Sequence, residues 1–371
     1  MEGFPPQARD NKKNKTREQQ HHIPDELVFQ ILTRLPVKSI LRFKCISKSW
    51  LSMISHPKFI QTHLHLQSPK LLLKTDGSPV SFASIDSENP NPYRKVLHCP
   101  CEDPSAYFQP LCSCDGLILV HVRIEFDGTR SGKSFILWNP SNRSHRRISC
   151  PYELPFFNSL YGLCYDSTAD DYRVVIVSHE KVTSVAVYGL RNNSWDIFVD
   201  NRYRLYVSEY GAAVVNGAVH WVMFSMESGL WVIVYFDLVE GKFKEVPPPS
   251  SWKEDDVMNL VVLGGFLCVY IDVGERQIEV YAMKEYGNKE SWARLFVIPS
   301  PSERKCSWVH TVPSSAYVML LCLTKKGQVL ISIDTRGFGI YDPKDGTVLR
   351  YLGGWMPIPY VESLVPLNEG V

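Results

Sequence analysis

The chain has 371 residues, 44% of them hydrophobic and 21% charged, and its formal net charge at pH 7 is +1. These values are ordinary for a soluble globular protein, and so small a net charge supplies no field that would attract nucleic acid or an anionic membrane. Composition therefore predicts no nucleic-acid partner and no membrane partner. The length exceeds that of an average domain, which favours a large domain accompanied by a small one.

Residues 1–22 are polar and lack the apolar central region of a secretion signal. We expect a disordered tail, whose basic residues either are solvated or serve as a nuclear import signal. The longest apolar run, Leu260 to Ile271, is shorter than the ~20 residues that cross a bilayer. We therefore expect no membrane segment and a location in the cytoplasm, the nucleus or both.

The segment from Pro24 to Pro36 predicts a short amphipathic helix. Proline suits the first helical position because its missing N–H has no partner there, and Asp25 and Glu26 place negative charge at the positive end of the helix dipole. Apolar residues then recur at the spacing of one helix face until Pro36 ends the helix. These residues are Leu27, Val28, Ile31, Leu32 and Leu35.

Two further short helices are predicted before residue 58. Val37 and Leu41 belong to the second, while Ser47 is placed to cap a third helix that carries Trp50 and ends at Pro57. A three-helix unit over residues 23–66 is too small to bury a complete core of its own. Its remaining apolar surface either packs on the following domain as a helical cap or binds another protein.

These helical residues resemble the F-box. The match comprises Pro24-Asp25-x-Leu27, Ile31-Leu32-x-Arg34-Leu35-Pro36-Val37-Lys38-Ser39, Leu41-Arg42, Lys48-x-Trp50 and Phe59. The resemblance implies an apolar face that binds a Skp-type adaptor and, through it, the cullin and RING subunits of a ubiquitin ligase. The adaptor contacts that it implies are Pro24, Leu27, Ile31, Leu32, Leu35, Pro36, Val37, Leu41 and Trp50.

Residues 67–371 predict antiparallel β structure, because short runs of Val, Ile, Leu, Tyr and Phe alternate with Asp-Gly, Asn-Gly and Gly-Gly turns. Aromatic residues recur roughly every 46 to 60 residues, a period that favours four-stranded propeller blades. They are Trp138, Tyr188, Tyr235, Tyr281 and Tyr341. We expect about six blades, with a C-terminal strand from Tyr360 to Val365 that joins the first blade and closes the ring.

A second set of motifs follows in order through this region. It includes Leu137-Trp138-Asn139-Pro140-Ser141, Tyr161-Gly162-Leu163-Cys164-Tyr165-Asp166 and Asn216-Gly217-Ala218-Val219-His220-Trp221. These motifs resemble the plant F-box-associated interaction domain, which is kelch-like and taken to be a substrate receptor. The implied protein is mainly β, with a three-helix F-box over residues 23–66 and a kelch-like β-propeller over residues 67–371. We expect the motif tryptophans to fill blade cores; they are Trp138, Trp195, Trp221 and Trp292.

The sequence offers no recognisable catalytic centre. The acid pairs Asp170-Asp171 and Asp255-Asp256 lie in polar turns, and neither a phosphate-binding glycine loop nor a GxSxG nucleophile motif is present. The ten cysteines are better interpreted as thiols of a reducing compartment, and the Cys99/Cys101 and Cys112/Cys114 pairs are spaced more closely than usual zinc ligands. We therefore expect a non-catalytic protein with no metal and no cofactor.

The predicted function is that of the substrate-recognition subunit of a Skp-cullin-F-box (SCF) E3 ubiquitin ligase. The F-box would bind the Skp adaptor, and the propeller would bind a protein target for ubiquitination and degradation. The alternatives are a glycan- or small-molecule-binding propeller coupled to the same adaptor, a propeller enzyme, and an adaptor-bound protein that acts outside ubiquitination.

Target choice is expected to reside in loops on one propeller face, since loops vary while blades hold them. The candidate segments are residues 125–133, 200–208, 226–230, 252–256 and 300–307. Aromatic and arginine side chains in these segments either contact the target or pack a loop against its blade. They are Arg202, Tyr203, Arg204, Tyr206 and Trp252.

Overall fold

The computed structural model describes residues 23–367, apart from 76–80, 89–94, 99, 101–105, 127–129, 151–158, 206–211, 254–256, 273–276, 300–317, 334–336 and 353–354. Four short helices precede twenty-five β-strands, and the strands form six sheets within these ranges. The predictions of a mainly-β fold and of six propeller blades are confirmed. No helix in the described ranges is long and apolar enough to cross a membrane. The predicted N-terminal tail, residues 1–22, lies outside the described residues.

The helical unit, residues 23–66, contains four helices rather than three. They are α1 (Asp25–Leu32), α2 (Val37–Phe43), α3 (Lys48–Ser55) and α4 (Pro57–Leu66). Ser47 caps α3 as predicted, because its hydroxyl accepts the backbone N–H of Trp50 at 3.1 Å. The third helix ends before Pro57, as predicted, but it is not the last helix of the unit. Pro57 begins α4, since a fixed φ and a missing N–H also suit the first position of a helix.

Each sheet is a blade of antiparallel strands, ordered from the centre of the ring outward. Blade one comprises β25 (Trp355–Tyr360), β1 (Lys70–Lys74), β2 (Ser81–Asp86) and β3 (Lys95–His98). Blade two comprises β4 (Tyr107–Cys114), β5 (Leu117–Phe126), β6 (Arg130–Asn139) and β7 (Ser144–Ser149). Blade three comprises β8 (Ser159–Asp166), β9 (Asp171–His179), β10 (Thr183–Gly189) and β11 (Ser194–Val199).

The fourth blade differs from the others because two short strands, β12 (Tyr203–Arg204) and β13 (Ala213–Val215), pair with successive parts of the same neighbour. Blade four comprises β12 (Tyr203–Arg204), β13 (Ala213–Val215), β14 (Ala218–Ser225), β15 (Trp231–Asp237) and β16 (Lys242–Val246). Blade five comprises β17 (Val257–Leu263), β18 (Phe266–Asp272), β19 (Gln277–Met283), the 3-10 turn Lys289–Ser291 and β20 (Trp292–Pro299). Blade six comprises β21 (Val318–Leu323), β22 (Val329–Ile333), β23 (Gly337–Asp342) and β24 (Thr347–Leu352).

The ring closes in blade one, where the last strand of the chain pairs with the first. Strand β25 lies antiparallel to β1, with Tyr360 opposite Lys70 and Ile358 opposite Leu72, and it contacts β4 on one side and β21 on the other. A C-terminal closing strand is therefore present, but its predicted position is wrong. The strand ends at Tyr360, and residues 361–367 leave the sheet.

The repeated aromatic residues all lie on the third strands of blades two to six. Trp138, Tyr188, Tyr235, Tyr281 and Tyr341 lie on β6, β10, β15, β19 and β23, respectively. The sequence period thus corresponds to the blade repeat, as predicted.

Two of the four motif tryptophans are blade core, and two link neighbouring blades. Trp138 and Trp221 are buried, as predicted. Trp195 and Trp292 are half-buried at the beginning of the outermost strands β11 and β20. Their indole N–H groups donate, each at 2.9 Å, to the backbone carbonyls of Ser149 and Pro247 at the end of the preceding blade's outermost strand.

His220, in blade four, is fully buried as a neutral imidazole. Its Nδ1–H donates to the carbonyls of Ala213 (3.2 Å) and Ala218 (3.1 Å), and its Nε2 accepts the Tyr286 hydroxyl at 2.6 Å. Burial lowers the pKa of His220 to about 4. In the unfolded chain an ordinary histidine binds its proton near pH 6.5, so the unfolded state holds more protons between these two values.

We predict that proton binding to His220 in the unfolded chain lowers the free energy of unfolding by about 3 kcal/mol as pH falls from 6.5 to 4. Below pH 4 we expect no further loss from this group. Urea titrations of wild type and His220→Gln at pH 7, 6, 5 and 4.5 measure this contribution. The variant should lose less stability per pH unit than wild type. Equal slopes for wild type and His220→Gln would contradict the prediction.

The antiparallel blades give the propeller two opposite faces. One face, here called the helical face, carries the turns between first and second strands and between third and fourth strands. The other, here called the loop face, carries the turns between second and third strands and the connections between blades. Ser55 and Ile60 of the helical unit share a cleft of about 330 Å³ with Tyr165 near the end of β8 and Leu190 in the turn after β10, both in blade three. The helices therefore lie on the helical face.

Candidate protein-interaction surfaces

One side of the helical unit is buried against the propeller. Its buried apolar residues belong to a single cluster with residues of blades two and three and with the C-terminal residues Leu364, Val365 and Leu367. The helical members are Leu32, Val37, Ile40, Ile54, Phe59 and Ile60. The helical unit thus completes its core with the propeller, which realises the first of the two possibilities that its small size left open.

His63 of α4 fixes the α1–α2 turn within this buried side. The imidazole is fully buried, and its Nε2 lies 3.0 Å from the carbonyl oxygen of Leu35. Its ring stacks parallel to Phe59 with the centroids 6.4 Å apart. Burial lowers the pKa of His63, although the hydrogen bond to Leu35 opposes this shift. The Leu35-Pro36 turn of the F-box motif is therefore held by α4, the helix that sequence reasoning missed.

The other side of the helical unit exposes apolar side chains. Six of the fifteen exposed large apolar residues in the described ranges lie within residues 23–66: Ile23, Leu27, Ile31, Ile46, Leu51 and Leu66. Leu27 is 49% exposed and Ile31 is 56% exposed, and a spacing of four residues places them on the same face of α1. Such a concentration in so short a segment is typical of a protein-interaction surface.

The structure divides the nine predicted adaptor contacts into three groups. Pro24, Leu27, Ile31 and Pro36 are exposed; Leu35, Leu41 and Trp50 are half-buried; Leu32 and Val37 are buried. The buried pair holds the helices to the core and does not face solvent. Adaptor contact by the exposed and half-buried residues stays a prediction.

Sequence reasoning did not include Ile46 and Leu51 among the contacts, although both are exposed. For Leu51 a signal existed. Trp50 and Ile54, four residues apart, define the inward face of α3, and the next residue along a helix points about 100° away from its predecessor. For Ile46, which follows α2 in an irregular turn, no periodic pattern was available.

Four of the five predicted target-binding segments contain described residues, and these residues lie on the loop face. Residues 125–126, 130–133 and 226–230 lie at or between the ends of second and third strands, and residues 200–205 and 252–253 lie where one blade leads to the next. Residues 127–129, 206–208, 254–256 and 300–307 lie outside the described residues. For the described parts, the prediction that the segments share one propeller face agrees with the topology. That face is opposite the helical unit.

Among the individual target-contact candidates, Arg202 and Tyr203 pack their loop against blade four. The Arg202 guanidinium pairs with both carboxylate oxygens of Asp200 at 2.9 and 2.6 Å and donates to the Phe243 carbonyl at 3.0 Å. Tyr203 is 4% exposed, and its hydroxyl donates to Glu245 at 3.0 Å. Tyr203 is therefore a core residue, and its prediction as a surface contact is wrong because its ring fills space against Phe243.

The remaining candidates differ in position. Arg204 is exposed, and Trp252 is half-buried against the core of blade five. Tyr206 lies outside the described residues. Target contact by Arg204 and Trp252 stays a prediction.

The acid pair Asp170-Asp171 stabilises turns of blade three. Asp170 pairs with the Arg191 guanidinium at 2.9 Å and accepts the Tyr165 hydroxyl, and these contacts keep the pKa of Asp170 below its usual range. Both oxygens of Asp171 accept the backbone N–H of Arg191 at 3.1 Å. These carboxylates are therefore engaged with neighbouring groups. Asp255 and Asp256 lie outside the described residues.

The described thiols do not form a recognisable reactive site. Burial raises the pKa of Cys164 and Cys322 to about 12, so their thiolates are strongly disfavoured. Cys45 is exposed. Within the described residues no group of three or more His, Cys, Asp or Glu side chains is arranged to hold a metal ion. Cys99 and Cys101 lie outside those residues.

A helical unit with an exposed apolar side, carried on one face of a six-bladed propeller, defines a modular interaction protein. Comparison with known families gives the same division of the chain. Residues 21–62 match the F-box domain, and residues 71–367 match the F-box associated beta propeller domain. The chain belongs to the family of F-box proteins that carry this propeller, so both resemblances seen in the sequence are confirmed.

Similar proteins occur in Arabidopsis thaliana. The F-box/kelch-repeat protein At3g23880 is 30% identical over 303 residues, which cover 75% of this chain and 80% of that protein. The F-box protein CPR1 is 30% identical over 351 residues, which cover 84% of this chain and 80% of that protein. Among solved structures, TolB from Acinetobacter baumannii has a TM-score of 0.46 and 12% identity, covering 85% of this chain and 73% of TolB.

Proposed function

We propose that this chain is the substrate-recognition subunit of an SCF E3 ubiquitin ligase. In this proposal the exposed apolar side of the helical unit binds a Skp-type adaptor, which recruits cullin and RING subunits, and the loop face binds a protein target. The observation that carries the proposal is the group of exposed apolar residues on a unit whose other side is already buried. Membership of the F-box family supports the identity of the partner.

The energetics of the exposed residues are adequate for a stable complex. Each apolar side chain that becomes fully buried contributes about 1.5–3 kcal/mol before association costs are subtracted. Leu27 and Ile31 are each about half exposed, so about half of this contribution is still available to a partner. Several such side chains together can offset the loss of translational and rotational freedom.

The protein itself needs no catalytic group for this role. A target bound on the loop face is tethered to the ubiquitin-loaded enzyme that the cullin and RING subunits bring, which converts a bimolecular encounter into an intramolecular one. Such tethering raises the effective concentration to about the millimolar range. The rate increase then comes from placement alone. This function assigns the protein to the cytoplasm, the nucleus or both.

Reconstitution from purified components tests the proposal. The full chain should form a complex with a Skp-type adaptor with a Kd below about 1 μM, recruit cullin and RING, and become ubiquitinated when the activating and conjugating enzymes are added. Absence of adaptor binding would contradict the proposal. Adaptor binding without cullin recruitment would favour an activity outside ubiquitination.

The same preparation distinguishes the other two alternatives. A saturable rise in melting temperature with a library of sugars or metabolites would favour a ligand-binding propeller. Turnover of such compounds without any ubiquitin component would favour a propeller enzyme.

A further inference from the structure

The Trp138-Asn139-Pro140-Ser141 motif has a role that neither partner surface explains. Asn139 ends β6 and is fully buried. Its side-chain N–H groups donate to the carbonyls of Ser363 at 3.2 Å and Val365 at 2.8 Å, while its Oδ1 accepts the backbone N–H of Ser141 at 2.9 Å. One amide thus holds residues 361–367, here called the C-terminal segment, across the helical face.

Neighbouring groups reinforce this attachment. The Ser141 hydroxyl accepts the backbone N–H of Ser363 at 3.0 Å, and Asn142 donates to the Val365 carbonyl at 3.0 Å. Glu362 forms ion pairs at 3.1 Å with both Lys70 and Lys95 of blade one. Burial alone would raise the pKa of Glu362, but the two lysines hold it below its usual range. The segment is therefore fixed to blades one and two by backbone and side-chain contacts.

The opposite side of the C-terminal segment contacts the helical unit. Leu364, Val365 and Leu367 are buried in the same cluster as Leu32, Ile54 and the other inward-facing helical residues. Val365 and Pro366 also border the cleft that faces α3 and α4. The segment therefore lies between the helices and the blades and is fixed to the blades by hydrogen bonds.

We infer that Asn139 is a positioning residue and that the C-terminal segment is a rigid coupler, which fixes the orientation of the helical unit relative to the propeller. The coupling itself is independent of the proposed function. Its consequence depends on that function: with the adaptor on the helical unit and the target on the loop face, the coupler sets the distance and direction from target to ubiquitin donor.

Hydrogen exchange of the full chain tests the coupling. Asn139→Asp keeps the side-chain shape but removes both N–H donors and places a carboxylate against two carbonyls. We expect amide exchange in residues 361–367 and in α4 to become at least about tenfold faster, while β17–β20 of blade five keep wild-type rates. Faster exchange in residues 361–367 with unchanged exchange in α4 would overturn the inference.

Two further variants control this experiment. Asn193→Asp makes the same substitution in the corresponding third-to-fourth-strand turn of blade three, and its carboxylate can still accept the Tyr188 hydroxyl, so exchange should not change. Leu364→Ala weakens the coupler by removing buried apolar volume and leaves Asn139 intact. It should reproduce the faster exchange in α4, and it decides the question if Asn139→Asp does not fold.

The reconstituted ligase tests the positioning role. Asn139→Asp should bind the adaptor with a Kd within twofold of wild type, yet distribute ubiquitin over a broader set of the chain's own lysines, identified by mass spectrometry. An unchanged lysine pattern would contradict the positioning role. Failure of wild type to bind the adaptor would contradict the proposed function instead, and the exchange data would still decide whether the coupler exists.

Discussion

The double variant Leu27→Glu, Ile31→Lys should lose Skp-adaptor binding while it keeps its fold. Both side chains are about half exposed on α1 and lie outside the buried apolar cluster that the helical unit shares with the propeller, here called the junction core. Their removal therefore leaves no cavity in that core. Glu at position 27 and Lys at position 31 have the spacing and order of a favourable helical ion pair, which compensates for any lost helix stability. The substitution therefore acts on the surface and not on the helix.

The expected effect on affinity is large. Because Leu27 and Ile31 are each about half exposed, their loss removes about 1.5–3 kcal/mol of the burial available to a partner, and the new charged pair would have to be desolvated at the interface. We expect the adaptor Kd to rise at least about 100-fold in isothermal titration calorimetry. The melting temperature of the free chain should stay close to that of wild type.

Val239→Asp provides a matched control for this result. Val239 is 79% exposed in a turn of blade four, so the variant introduces a charge at an exposed apolar residue outside the helical unit. Its adaptor affinity should equal that of wild type. Retained binding by the Leu27→Glu, Ile31→Lys protein would show that the adaptor uses another surface.

Tertiary packing separates residues of α1 that helical periodicity treats as equivalent. The sequence places Leu27, Ile31, Leu32 and Leu35 on one apolar helix face, and periodicity treats them alike. In the fold, Leu32 points into the junction core while Leu27 and Ile31 remain exposed. A charge at Leu32 would therefore disrupt the packing of the helical unit on the propeller. A loss of adaptor binding by such a variant would not identify Leu32 as an adaptor contact. Periodicity identifies an apolar face, but only tertiary packing shows which part of it the chain itself covers.

Local signals also failed where one residue type serves two purposes. Proline is common both after the end of a helix and at its first position. Pro57 follows the end of α3 and also begins α4, and the residue type alone did not indicate the second role. Pro357 and Pro359 similarly argued against a strand over the residues that form β25. Proline is tolerated there because β25 is the innermost strand of its blade and, within the described part of the chain, pairs with β1 alone.

The propeller was more predictable than the junction because its signals repeat. The third-strand aromatics and the turn residues recur in several blades, so one ambiguous unit is corrected by the others. The coupler occurs once in the chain. Nothing in its apolar sequence, Leu364-Val365-Pro366-Leu367, indicates that it packs between two domains rather than extending a sheet.

Gly116→Ala should destabilise the protein much more than Gly265→Ala, although both glycines occupy corresponding turns. Gly116 joins the first and second strands of blade two with φ +81°, and Gly265 does the same in blade five with φ +84°. An alanine at either φ incurs a backbone cost of roughly 1–2 kcal/mol. The difference between the two variants therefore reports only what a new methyl group meets.

At Gly116 that methyl group meets the C-terminal segment. A Cβ there would lie 2.2 Å from Ser363 Cβ and 2.7 Å from the carbonyl oxygen of Val361, whereas a Cβ at Gly265 has nothing within 4 Å. Neither contact at Gly116 involves the end of a flexible side chain, so the segment must move. Overpacking of this kind costs typically about 1–3 kcal/mol beyond the backbone term.

Urea unfolding followed by tryptophan fluorescence measures this difference. We expect Gly265→Ala to lose roughly 1–2 kcal/mol of unfolding free energy and Gly116→Ala roughly 2–5 kcal/mol. Because the extra loss arises from displacement of the C-terminal segment, Gly116→Ala should also accelerate amide exchange in residues 361–367, and Gly265→Ala should not. Equal losses in the two variants would mean that the segment does not lie over the Gly116 turn, and the contacts assigned to the coupler would have to be abandoned.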